Sequence, residues 1–254
     1  VKLIPYPLLY DHGWQIDFHS LERAIGPATR GIVLVNPNNP TGSYVSAAER
    51  EQLNNICLEH GLALIVDEVF VDYALDNSPH PSFATNTGAL TFTLSGLSKI
   101  SALPQMKLAW ITVNGPANLA RDAVQRLEVI ADTYLSVSAP VQLAARTLLE
   151  QRKAVQSQIV TRVRQNLAEL DRQLALHRSC SRLEVEGGWY AILRVPVTQS
   201  DEDLSIALLR EKKVLIHPGH FYDFPQDAFL VLSLIGTPEE FSCGIEKALH
   251  FFAD

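Results

Sequence analysis

Cysteine is scarce in this sequence: Cys57, Cys180 and Cys243 are the three in 254 residues, and they lie far apart. An odd, scattered set argues against a disulfide framework or a zinc site and suits reduced thiols in a cytoplasmic protein. The histidines are scattered too, so no metal-ligand spacing arises and no metal is expected. No apolar run reaches the length of a membrane span, and Val1-Lys2-Leu3-Ile4-Pro5 has no secretory pattern. Basic residues are outnumbered, 21 Lys and Arg against 28 Asp and Glu. With a net charge of −7 and no Lys/Arg block to offset it, a general nucleic-acid surface is not expected. Neither Gly-x-Gly-x-x-Gly nor a Walker A pattern occurs, which removes the dinucleotide and nucleotide-triphosphate readings. An initiating methionine is missing as well, and the chain opens on a strand-like pattern. Its natural start is therefore expected upstream.

What is present is ordinary for a soluble globular protein, 47% hydrophobic and 19% charged. The length allows one large domain or two smaller ones. In the first half, apolar strand-like runs alternate with helical patterns. Gly31-Ile32-Val33-Leu34-Val35 ends in an Asn/Pro-rich turn, and Ser46-Ala47-Ala48-Glu49 is a capping box opening a helix that Gly61 is placed to stop. Further strands are expected at 62–66, 89–94 and 108–113. This alternation implies a largely parallel sheet covered by helices, in which ligands gather at the carboxyl ends of the strands. From 116 to about 177 the pattern is mainly helical, with Pro140 marking a helix start. Strands are then expected at 182–186, 189–195, 214–217 and 229–234, with a helix near 201–211. Thr237-Pro238-Glu239-Glu240 opens the terminal helix. This divides the chain into residues 1–150, a mainly parallel α/β unit, and 151–254, a smaller α+β unit.

Three segments carry candidate chemistry. Asn36-Pro37-Asn38-Asn39-Pro40-Thr41-Gly42 follows the first of these strands, Asp67-Glu68-Val69-Phe70 the second, and Ser95-Gly96-Leu97-Ser98-Lys99 the third. An isolated lysine at a strand end is by default a solvated charge, Asp after a strand is commonly a turn residue, and Asn-Pro is a turn former. Together they match the needs of pyridoxal 5'-phosphate: a lysine amine to hold it, a carboxylate to keep its pyridine nitrogen protonated, and a donor to its ring oxygen. Lys99, Asp67 and Asn39 fit those roles, and the phosphate wants cations and backbone N–H groups.

In these motifs the chain resembles the fold-type I, class I/II aminotransferase family. Asn39-Pro40-Thr41-Gly42 resembles its Asn-Pro-Thr-Gly turn, Asp67-Glu68-Val69-Phe70 its Asp-Glu-Val-Tyr, and Ser98 to Lys107 its Ser-Lys…Pro-Gly-x-Arg segment. Gly187-Gly188-Trp189-Tyr190 and His217-Pro218-Gly219-His220-Phe221 resemble its small-domain turns. The resemblance implies an incomplete large domain with a mainly parallel sheet, followed by a smaller α+β domain. It implies an aminotransferase that moves an amino group between an amino acid and a 2-keto acid through a Schiff base on Lys99. Cofactor contacts are implied for Asn39, Asp67, Phe70, Ser98 and Lys107, and a homodimer for the full-length protein.

The departures shape the remaining expectations. Phe70 replaces a tyrosine, so the donor to the ring oxygen is lost and Asn39 acts alone. Lys107 stands where an arginine is expected, keeping the charge without the bidentate fork. Val231 occupies the place of the arginine that pairs with the substrate carboxylate, and Arg194 on the neighbouring strand is the alternative cation. A lyase or decarboxylase of the same fold would share every motif, and a non-catalytic domain that retains the fold is the third reading. Tyr73 reads as a packing residue, and His217 and His220 as structural residues beside a turn.

Overall fold

A computed structural model describes residues 1–76 and 78–252. The chain opens with an antiparallel hairpin of β1 (Leu8–Tyr10) and β2 (Trp14–Ile16), followed by α1 (Phe18–Ala24). β3 (Gly31–Val35), α2 (Ala47–His60) and β4 (Ala63–Asp67) form a strand-helix-strand unit whose two strands pair in parallel. The capping box at Ser46 is formed in full. Ser46 Oγ accepts from the Glu49 N–H while Glu49 Oε2 accepts from the Ser46 N–H. At the other end Gly61 takes the left-handed conformation, φ 63°, that closes a helix without a Cβ clash.

β5 (Thr91–Gly96) adds in parallel to β4, and the one-turn α3 (Leu97–Ile100) follows it directly. β6 (Ala109–Asn114) returns antiparallel to β5, which gives the order β3-β4-β5-β6. The sheet is therefore largely parallel with one antiparallel edge, a common variation. Three helices follow: α4 (Ala117–Ala131), α5 (Ala139–Glu150), with Pro140 in its first turn, and the long α6 (Arg152–Leu174).

The second sheet, order β7-β8-β10-β9, contains β7 (Ser181–Arg182), β8 (Tyr190–Arg194), β9 (His217–Pro218) and β10 (Phe229–Ser233), all antiparallel. α7 (Asp201–Ala207) runs into a π-helical turn at Leu208–Lys212, and α8 (Pro238–Phe251) ends the described chain. Two of the expected strands are shorter than the sequence suggests. Of 182–186 only Arg182 joins this sheet, in β7, and of 214–217 only His217, in β9. The Leu183 N–H still donates to the Ile192 carbonyl of β8, and beyond it the chain turns to other partners: the Glu184 N–H donates to Tyr10 Oη, Glu186 Oε2 accepts from the Tyr44 N–H, and the Glu186 carbonyl from the Leu75 N–H. Extended backbone there serves a junction rather than a ladder.

Two cores result. In the first, Leu64 and Val66 of β4 and Ile32 and Leu34 of β3 pack against Leu53, Ile56 and Cys57 of α2 and against Phe83. In the second, Leu193, Leu230 and Leu232 pack against Val163 and Leu170 of α6 and Phe241, Ile245 and Leu249 of α8. Phe70 and Tyr73, which follow β4, belong to this second core and tie the two halves together. Among the described residues no helix is long and apolar enough to cross a membrane.

Candidate functional site

The carboxyl ends of β3, β4 and β5 lie side by side. Val35 is in register with Asp67 and Asp67 with Leu94, and the Asn36 N–H donates to the Asp67 carbonyl at 2.8 Å. Asp67 is half-buried. Its Oδ1 accepts from the Val69 N–H at 3.0 Å, while Oδ2 has no hydrogen-bond partner among the described residues. The carboxylate is thus fixed by the turn that follows it and keeps one oxygen available.

Lys99 sits in α3, one short helix beyond β5, and is half-buried. The Tyr73 hydroxyl donates to the Lys99 carbonyl at 2.6 Å, which anchors this turn to the second core. Burial and the nearby Asp72 push the Tyr73 phenol up to about 12, so it remains a donor across the neutral range. Lys99 Nζ lies 5.7 Å from the Phe70 ring centroid and 5.5 Å from that of Trp189, and no carboxylate pairs with it among the described residues. Phe70 is buried and meets Trp189 edge-on at 5.1 Å.

The Asn-Pro turn is held mainly through Asn36. Its amide nitrogen donates to Glu68 Oε1 at 3.1 Å and its Oδ1 accepts from the Val45 N–H at 2.9 Å. Glu68, itself buried, also accepts from the Phe83 N–H at 2.8 Å and from the Ser82 hydroxyl. Asn39, the residue singled out by the motif, is exposed. Its side chain, like those of Ser98 and Lys107, makes no hydrogen bond among the described residues. Lys107 is exposed at φ 51° after a turn of 3₁₀-helix. The structure therefore gathers Lys99, Phe70 and Trp189 into contact and sets Asp67 on the adjacent strand end. It leaves Asn39, Ser98 and Lys107 presented without a protein partner.

On the second sheet Val231 is buried against Leu183 and Ile192, and β10 carries no arginine. Arg194 stands five residues beyond Trp189 on the chain, roughly 16 Å along an extended strand, and its guanidinium rests 5.6 Å from the Phe229 ring.

Sequence reasoning missed four residues of this constellation: Asn36, Glu68, Tyr73 and Trp189. For Trp189 the signal is the preceding glycine pair. A Cβ at Gly187 would lie 2.7 Å from the Tyr44 ring and 3.0 Å from the Tyr73 carbonyl oxygen, so only glycine lets this strand approach the turn. At Gly42 (φ +71°) a Cβ would collide with Val185 and the Gly187 carbonyl. The two glycines mark where the second unit presses on the first.

A strand-end carboxylate, a lysine on the following strand end and an Asn-Pro-Thr-Gly turn are the parts of one recognisable class. Residues 1–243 match the model for aminotransferase class I and II, and the chain belongs to that family. It is 28% identical over 261 residues to glutamate-pyruvate aminotransferase AlaA of Escherichia coli K12, covering 99% of this chain and 63% of that protein. It is 27% identical to an alanine aminotransferase of Mycobacterium tuberculosis, over 94% of this chain and 57% of the other. Tyrosine aminotransferase from Leishmania infantum superimposes with a TM-score of 0.87 at 24% identity, over 97% of this chain and 62% of that one. A PLP-dependent aminotransferase from Streptococcus suis gives 0.79 at 25% identity, over 95% and 63%. The chain thus spans about three-fifths of the length of the curated relatives it matches.

Proposed function

We propose that this chain carries the lysine-bearing part of a pyridoxal 5'-phosphate-dependent aminotransferase that moves an amino group between an amino acid and a 2-keto acid. The observation that carries the reading is the placement of Asp67 at the end of β4 and Lys99 in the short helix directly after the adjacent β5, the lysine without a carboxylate partner among the described residues and the carboxylate with one oxygen unengaged. Neither group is consumed by a structural ion pair among the described residues, which suits groups that serve a bound molecule.

The residues present fit that group. When bound, pyridoxal phosphate supplies an electron sink for the carbanion left by loss of the substrate α-proton. Lys99 would hold the cofactor covalently through its ε-nitrogen, the same atom that would take and return the substrate α-proton as a general base. Asp67 places negative charge against the pyridine nitrogen. Asn39 would offer its amide to the ring oxygen, Phe70 would line the site without a hydroxyl to donate, and Ser98 and Lys107 would serve the phosphate. The glutamate-pyruvate and alanine aminotransferases among its relatives support glutamate or alanine as donor and a 2-keto acid as acceptor. We take residues 1–150 as the cofactor-binding unit and 151–254 as the smaller unit, a cytoplasmic location, and a homodimer for the full-length protein.

Pyridoxal phosphate followed by borohydride tests the reading. A stable adduct mapped to Lys99, absent in Lys99→Ala, is the expected result. Adducts on other lysines alone would overturn it. The absence of an arginine on β10 favours one second reading, a lyase of the same fold. Ammonia with a 2-keto product, rather than a new amino acid, would select it.

A further inference from the structure

We infer that Trp189 is a positioning residue for Lys99: with Phe70 it forms a two-ring seat that holds the lysine ammonium. The inference rests on the reading of Lys99 as the reactive amine and extends it to a residue of the smaller unit. Three observations converge. Lys99 Nζ is within 6 Å of both ring centroids, the range in which a cation is drawn to an aromatic face. No carboxylate competes for the ammonium among the described residues. Trp189 itself is 9% exposed and is wedged edge-on against Phe70 at 5.1 Å and Tyr73 at 5.0 Å.

The connectivity gives the seat a consequence. Trp189 directly precedes β8, and its carbonyl accepts from the Leu234 N–H at 2.8 Å, so its position follows the second sheet. Lys99 belongs to the first sheet's strand end, while Phe70 and Tyr73 are shared. A shift of the second unit moves one wall of the seat and not the lysine. The seat therefore links the placement of the second unit to how firmly the amine is held. The Trp189 indole N–H is buried with no acceptor among the described residues, so the ring is oriented by packing rather than by a hydrogen bond.

The test reads amine reactivity with no cofactor present. The 254-residue chain and its variants are treated with formaldehyde and cyanoborohydride, and methylation of Lys99 is measured against exposed Lys107 in the same digest. Trp189→Met keeps apolar bulk but removes the ring face, and the Lys99 to Lys107 ratio should rise by about 2- to 30-fold. Trp189→Phe keeps a face and drops the N–H, and should stay within about twofold of the parent. An unchanged ratio in Trp189→Met, or an equal rise in Trp189→Phe, would overturn the seat. Cys180, buried in the same core, reports whether that core has opened. If Trp189→Met exposes it, Phe70→Leu read in the same way decides. Failure of pyridoxal phosphate to mark Lys99 in the parent chain counts against the aminotransferase reading, whereas the Met and Phe contrast judges the seat separately.

Discussion

Along β3 and β4 the buried side chains are Ile32, Leu34, Leu64 and Val66, while Val33 between them is 53% exposed and Ile111 on β6 is 49% exposed. The second sheet has no such open row. Leu193 and Leu230 face α6 and α8, and Ile192 and Val231 face Leu183, Tyr10, Trp14 and Tyr222. A parallel sheet is normally covered on both faces, so the first sheet is the less finished of the two. Yet it carries Asp67 and Lys99, while the second contributes one aromatic wall. The sheet with fewer packing partners holds the polar groups, and the sheet with the complete core fixes their surroundings.

The largest consequences fall on buried leucines. Leu64→Ala and Leu230→Ala should each destabilise by about 2–5 kcal/mol in urea unfolding, because a cavity is left in a packed core. Val33→Ala on the open row should cost no more than about 0.5 kcal/mol. A Val33 penalty as large as that of Leu64 would mean that this face is covered in solution, and the contrast between the sheets would fall. Next in size is Glu68→Gln. Glu68 accepts from Asn36, Ser82 and the Phe83 N–H in a buried site. The amide keeps one oxygen for Asn36 and Phe83 but sets an N–H against the Ser82 hydroxyl, which must turn to accept, and the loss of the charge-assisted bonds costs about 1–3 kcal/mol. The expected loss in thermal unfolding should come with weaker trapping of pyridoxal phosphate on Lys99, since the Asn-Pro turn loses its anchor.

Thiols report the same contrast with a smaller effect. Cys57 lies in the first core, Cys180 in the second, and Cys243 is exposed. Burial pushes the Cys57 thiol up to about 12, and burial raises Cys180 as well, partly offset by Ser179. In native buffer Cys243 should react first with a disulfide reagent. As urea is added below the main transition, Cys57 should become reactive before Cys180, because the open-faced sheet has fewer contacts to break. The reverse order would show that the second core opens more easily.

Much of the fold was legible in the sequence because its signals are local. Buried β-branched runs, the Ser46 capping box, Gly61 and Pro140 each act within a few residues of the position they mark. The site was legible where a motif names a residue by chemistry, as with Lys99 and Asp67 at strand ends. It was not legible where a contact spans the chain. Asn36 and Glu68 are 32 positions apart, and nothing at either position announces their hydrogen bond. Trp189 reaches Lys99 only because glycine at 187 allows close approach to Tyr44, a constraint that exists after folding. The shortened 182–186 strand failed for the same reason: extended backbone predicts a ladder, and here its partners are Tyr10, Tyr44 and Leu75.

The smallest expected effect concerns acid. Asp201 begins α7 with its side chain 4% exposed, 3.0 Å from His220 Nδ1 and accepting the His220 N–H at 2.8 Å. Burial alone raises this carboxyl, but the hydrogen bonds and charge of His220 outweigh it, and the result lies below the usual carboxylate range. A carboxyl lowered on folding contributes stability that is present above the unfolded value and lost as pH falls through the folded one. Of the other acids beside it, Glu202 lowers it further through its backbone N–H, and Asp227 accepts the Asp201 N–H at 3.1 Å. Asp201→Asn should therefore be less stable than the parent at neutral pH, with the gap closing below the ordinary carboxylate range. Unfolding midpoints measured from neutral to acidic pH check this. A gap that stays constant with pH would assign the loss to packing, and the pinning of α7 to the Pro218-Gly219 turn would then owe nothing to charge.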